Sequence, residues 1–144
     1  MTDLFTNQIF ITVWNAWLFA HLGKFIYRKF IKKQNASFLT FFESGGFPSA
    51  HTALVMSLFF SIAFEEGWGA SITVLSGILA AIVMYDAMNI RYRSGLHAKA
   101  LNILNKKENF QDKPFKESLG HTYVEVAGGF ALGLIIATLS YHAF

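Results

Sequence analysis

The chain has 144 residues, 53% hydrophobic and 15% charged, with 16 phenylalanines and a formal net charge of +3. That apolar excess excludes a disordered or linker-like chain, and the length limits it to a single domain, residues 1–144. With no cysteine, a disulfide framework, thiolate metal ligation and a cysteine nucleophile are all excluded.

Taken in chain order, four stretches carry no Lys, Arg, Asp or Glu: Leu4 to Gly23, Ser44 to Phe64, Gly67 to Tyr85 and Val126 to Phe144. Each is about 20 residues, the length a helix needs to cross the hydrocarbon core. Four such helices would leave a soluble domain of this size without polar surface. The expected fold is therefore all-α: a polytopic membrane protein with about four transmembrane helices.

Lys24 to Lys33 reads as a helical extension of the first span. The run Asn89 to Asn105 interleaves Ile90, Leu101, Ile103 and Leu104 with Arg91, Arg93 and Lys99. It reads as an amphipathic helix on the cytoplasmic surface, continuing from the third span. Lys106 to Pro114 is polar and reads as a loop.

All 12 Lys and Arg fall between the first and second stretches or between the third and fourth, while Asp3, Glu65 and Glu66 occupy the other side. The positive-inside rule puts both basic loops in the cytoplasm and both termini outside. Asp3 stands where a signal peptide would carry a basic region, so the first span is expected to stay. Orientation and anionic headgroups account for the basic loops, which removes the argument for nucleic acid.

Chemistry concentrates at two helix starts. In Ser44-Gly45-Gly46-Phe47-Pro48-Ser49-Ala50-His51, the glycines permit turns closed to other residues, and Pro48 suits a first helical position. Ser49, with the N–H groups of Ala50 and His51, makes an anion site at a helix N-terminus. A capped helix with an interfacial histidine is the plain alternative. At the fourth span, His121 and Glu125 share a helix face, four residues apart. There the carboxylate accepts one imidazole N–H, fixes the tautomer and leaves the other nitrogen to act. A purely structural His–Glu bond is the alternative.

Topology brings Lys24, Ser49, His51, Asp86, Arg91, His121 and Glu125 to the cytoplasmic ends of four spans. Cations, an N-terminal nest of N–H groups and two histidines at a lipid interface suit a phosphate group, and phosphoryl transfer in particular. Asp86 is placed to orient either Arg91 or Lys24. His21 and His142 have no partner in sequence and read as structural, and His97 reads as an interfacial helix residue.

These residues also carry a resemblance. Gly45-Gly46-Phe47-Pro48-Ser49-Ala50-His51-Thr52-Ala53 resembles the Gly-Gly-x-Pro-Ser-Ser-His-Ser-Ala signature of the divergent branch of the type 2 phosphatidic acid phosphatase superfamily. Asp86-Ala87 through Ile90-Arg91 to Gly95, and Leu119-Gly120-His121 with Glu125-Val126, are similar to two further segments of that branch. The resemblance implies a helical membrane enzyme related to lipid phosphatases and vanadium haloperoxidases. It implies phosphate contacts from Ser49, an acid in His51, and a nucleophile in His121, oriented by Glu125, that becomes phosphohistidine. The superfamily's Lys-x6-Arg-Pro motif is not matched, since Ile31 and Lys32 follow Lys24 where Arg-Pro would stand. Phe115 occupies the place of an arginine whose role passes to Arg91 or Lys116. Glu125 replaces the usual Asp, and Ala50 the usual Gly.

The expected function is hydrolysis of a lipid phosphate or diphosphate at the cytoplasmic leaflet of the plasma membrane. His121, His51 and Glu125 are catalytic; Lys24, Ser49, Ala50, Arg91 and Asp86 form the substrate-binding set. No metal and no cofactor is required. The expected partners are the lipid phosphate and membrane lipids, with a homo-oligomer compatible and no nucleic acid. Two other readings use the same cluster: a catalytically silent lipid-headgroup-binding scaffold, and a metal-dependent hydrolase or ion transporter, which the surrounding cations disfavour.

Overall fold

The computed structural model describes residues 4–31, 33, 45–108, 111–117 and 119–143. Asp3, Lys32, Ser44 and Phe144, used in the sequence reading, lie outside the described residues. After a single 3-10 turn, Leu4–Thr6, the described chain forms five helices: α1 (Gln8–Ile26), α2 (Ala50–Glu66), α3 (Ser71–Met88), α4 (Ile90–Glu108) and α5 (Tyr123–Ala143). Asn7 caps α1 by accepting from the Phe10 N–H at 3.0 Å, and α1 continues as a π-helical turn, Tyr27–Ile31. That turn is the expected extension of the first span.

α2 is the centre of the bundle, with α1, α3 and α5 packed around it. What is completely enclosed is small or hydroxylic: the largest fully buried side chains are Thr12, Thr52, Thr73, Ser49 and Ser57, beside Ala16, Ala20, Ala53 and Ala137. What lies outside is apolar, with Leu75, Ile78 and Ile82 of α3 and Ile135 and Leu139 of α5 all exposed. In water this arrangement would be inside out; in lipid it is the expected one, because association there depends on close backbone approach. Gly129, Gly133 and Ala137 form that seam on α5. A Cβ added at Gly129 would stand 2.4 Å from the Ser49 carbonyl oxygen, and one at Gly133 2.8 Å from that of Ala53.

Three helical runs are long and apolar enough to cross a membrane: Gln8–Ile31, Ser71–Glu108 and Tyr123–Ala143. α2, expected as a fourth span, has 17 residues and so covers roughly 26 Å, a turn short of a hydrocarbon core of about 30 Å. Its late start has a physical cause: the helix begins only where Ser49 caps it, and Pro48 precedes the cap instead of opening the helix. At its other end Gly67 turns the chain into α3 with φ +88°, a conformation that favours glycine. α3 and α4 are separated by Asn89 alone, so the segment expected as an amphipathic helix is helical and follows directly on α3. It runs three residues into the segment expected as a loop, ending at Glu108.

Candidate functional site

α1 and α3 end where α2 and α5 begin, and the sequence-predicted residues meet at that end. Two backbone bonds tie it together: Ser49 N–H donates to the Glu125 carbonyl and His121 N–H to the Ala87 carbonyl, both at 2.9 Å. Gly120, at φ +80°, lies flat on the α3–α4 junction, where a Cβ would meet the Tyr92 nitrogen at 2.3 Å. The approach to His121 therefore has a single backbone path.

His121 is buried, with 4% of its surface exposed, and its Nδ1 stands 3.0 Å from Glu125 Oε2. A carboxylate only accepts, so Nδ1 carries the proton and Nε2 is the nitrogen left for chemistry. The same carboxylate oxygen accepts the Thr122 N–H at 3.2 Å, while Thr122 Oγ1 accepts the Glu125 N–H at 3.3 Å. This is a capping box at the start of α5. Glu125 thus closes the helix and orients the imidazole at once. The i,i+4 spacing to His121 points only to the second task; Thr122-x-x-Glu125 is the signal for the first.

The His51 ring lies in the first turn of α2 with its centroid 6.2 Å from that of His121, and the residue is exposed at the mouth. Ser49 is fully buried. Its hydroxyl oxygen accepts the Thr52 N–H at 3.3 Å and the Thr52 hydroxyl at 2.9 Å. Ser49 is therefore first a cap, and the N–H groups of Ala50 and His51, which have no partner within the helix, are the donors that remain at this end.

Lys24 is 2% exposed and within electrostatic reach of both Glu125 and His51. Asp86 Oδ2 takes the Arg91 Nε–H at 2.7 Å, so of its two expected partners, Arg91 and Lys24, it is bonded to Arg91. Arg91 also bears electrostatically on His51; Lys116 is exposed and shows no such link. His121 lines a pocket of about 400 Å³ with Met88, Asn89, Tyr92, Arg93 and Leu96. Among the described residues, no three His, Asp or Glu side chains group closely enough to hold a metal ion.

Two residues of the site were not singled out from the sequence. His21, read there as structural, is buried at 6% exposure, rests on Trp17 with ring centroids 4.4 Å apart, and reaches His51 electrostatically. Arg28 lies across the glycine turn: its Nη2 donates to the Gly45 carbonyl at 3.4 Å, and a Cβ on Gly46 would meet its guanidinium at 3.6 Å. Both fall on the Lys24 face of the helix, at three residues before and four after. That spacing is the available signal, and Arg28 places a second cation within electrostatic reach of Lys24. His97 is exposed on α4, and His142 packs on Tyr141 at the opposite end.

A model of the divergent PAP2 family matches residues 5–136. The chain is 29% identical over a 157-residue alignment to YuiD, an uncharacterized membrane protein of Bacillus subtilis (strain 168), with 99% of each chain covered. No solved structure gives a significant match.

Proposed function

The chain belongs to the divergent PAP2 family, and from that premise we propose that it is a membrane phosphatase acting on a lipid phosphate or diphosphate through a phosphohistidine. The observation that carries this is the buried His121, its Nδ1 committed to Glu125 at 3.0 Å and its ring 6.2 Å from His51, with cations on either side. His121 Nε2 attacks phosphorus as the ester P–O bond breaks, and His51 gives its proton to the leaving alkoxide. Water then attacks phosphorus, the N–P bond breaks, and His51 takes the proton that the water loses. Lys24, Arg91 and the N–H groups of Ala50 and His51 take up the charge on the equatorial oxygens, with Asp86 orienting Arg91. No metal enters this scheme.

Placement in the membrane supports a lipid substrate. In this reading α2 is the second of four spans, tolerated at 17 residues because α1, α3 and α5 surround it; the site faces the cytoplasm of a plasma membrane and both termini lie outside. An apolar groove of about 440 Å³ opens between α1 and α5, lined by Phe19, Ile26, Phe47, Leu132 and Ile135 among others. It is bounded by Gly23 and Pro48, the neighbours of Lys24 and Ser49, so a hydrocarbon chain lying there would bring its phosphate to the site.

The deciding experiment is phosphate release by the purified protein from phosphatidic acid, phosphatidylglycerophosphate and isoprenyl diphosphates, with and without EDTA. Release from at least one of them, unaffected by the chelator and inhibited by vanadate, is expected. No release from any would leave the silent headgroup binder, and loss of activity in EDTA with recovery on adding a divalent metal would favour the metal enzyme.

A further inference from the structure

The segment that leads into His121 lies on α4, and one side chain of that helix grips it. Asn102 is buried at 6% exposure. Its Nδ2 donates to the Phe115 carbonyl at 2.9 Å and to Glu117 Oε1 at 2.8 Å, and its Oδ1 accepts the Phe115 N–H at 2.7 Å. A side-chain amide carries a donor and an acceptor side by side, so Asn102 pairs with Phe115 as a neighbouring strand would.

Further along, Gly95 lets the segment touch the helix: a Cβ there would meet the Glu117 carbonyl oxygen at 2.6 Å and that of Leu119 at 3.0 Å. The path ends at the 2.9 Å bond from His121 N–H to the Ala87 carbonyl. The segment is thus held to the helix at both ends, and between them the Leu119 N–H donates to the Glu117 carbonyl at 2.9 Å, a tight turn just before the nucleophile.

We propose that Asn102 is a positioning residue: by anchoring Phe115 and Glu117 to α4, it holds His121 in the register at which Nδ1 meets Glu125. α4 is then the template for the active-site approach as well as a surface helix. The inference rests on His121 being the group that matters, as proposed above. The geometry also provides an internal comparison. Asn105, one turn further along α4, makes the same two-way pairing with Gln111, with both bonds at 2.9 Å, but four residues further from His121 along the chain.

The test compares Asn102→Ala with Asn105→Ala in the full-length protein in nanodiscs, reading the ring-nitrogen NMR shifts of labelled His121 and the steady-state hydrolysis of an aryl phosphate. Asn102→Ala is expected to turn a single Nδ1–H tautomer into a mixture and to lower kcat by about 10²-fold, the cost of a small misplacement, with KM little changed. Asn105→Ala is expected to leave the tautomer and kcat near wild type. Equal effects of the two variants, or a wild-type His121 spectrum in Asn102→Ala, would overturn the proposal. If wild type hydrolyses nothing, the phosphatase reading fails while the spectra still decide the positioning role. Should Asn102→Ala fail to fold, Gly95→Ala, whose methyl would push the same segment off α4, is read by the same criteria.

Discussion

The two ends of the bundle are held by different means. At the end away from the site, Phe59, Phe60, Phe64, Trp68 and Tyr141 pack in edge, tilted and stacked contacts with centroids 5.1 to 6.3 Å apart. Gln8 donates to the Ser140 carbonyl at 3.2 Å, and Thr12 and Ser140 bond through their hydroxyls. At the site end there is no comparable ring cluster among the described residues. Backbone lies against backbone at Gly120 and Gly129, and a buried lysine and histidine with a half-buried glutamate take the place of apolar filling. Aromatic packing holds one end without reactive groups; close backbone approach holds the other while leaving His121, His51 and Lys24 in fixed positions. Adhesion and chemistry are thereby separated along the helix axes.

The largest effect should come from removing the group on which the site end turns. His121→Gln is expected to abolish turnover, a loss on the scale of about 10⁶-fold seen when a nucleophile is removed, while the thermal unfolding midpoint stays close to wild type. Near-normal phosphate release would assign the nucleophile elsewhere. Next comes the acid. His51→Ala should slow hydrolysis of a lipid phosphate by ~10²- to 10⁴-fold but barely affect an aryl phosphate, whose leaving group needs no proton. Equal losses on the two substrates would remove the acid role and leave His51 a binding group.

Much of this contrast could be read from the sequence. His121, Glu125, His51 and Lys24 were legible because ionisable residues stand out against apolar helices, and charge segregation put them at one end. That a helix runs through Ile90 to Asn105 was legible from its interleaved apolar and basic residues. The length of α2 was not, because its uncharged run continues upstream of the Ser49 cap and composition does not mark where a helix begins. Nor was Asn102, whose amide acts through a segment more than ten residues away in sequence. Arg28 and His21 were hidden differently: each is ordinary alone and becomes informative only when paired with Lys24 on a helix face.

Glu125→Gln sharpens the site end further, since this carboxylate both caps α5 and holds His121. Gln can still accept the Thr122 N–H and complete a capping box, so stability should change by under about 1 kcal/mol. It cannot offer the imidazole a charged acceptor, so the rate should fall by about 10²-fold without reaching zero. A rate loss that came with a large drop in unfolding midpoint would make the residue chiefly a cap.

The smallest effect on turnover is expected from the opposite end. Phe60 is 8% exposed and contacts Phe59, Phe64, Trp68 and Phe130, so Phe60→Ala should leave a cavity where the ring cluster is densest. The cost is about 3 kcal/mol of stability, read as a lower unfolding midpoint in nanodiscs. Yet kcat below that midpoint should stay within about twofold of wild type, because the bonds that fix His121 run to Ala87, Glu125 and the α4 template, none of which the ring cluster touches. A proportional fall in kcat would mean the two ends act as one cooperative unit, and that the site is held by the whole helix length and not by its own backbone contacts.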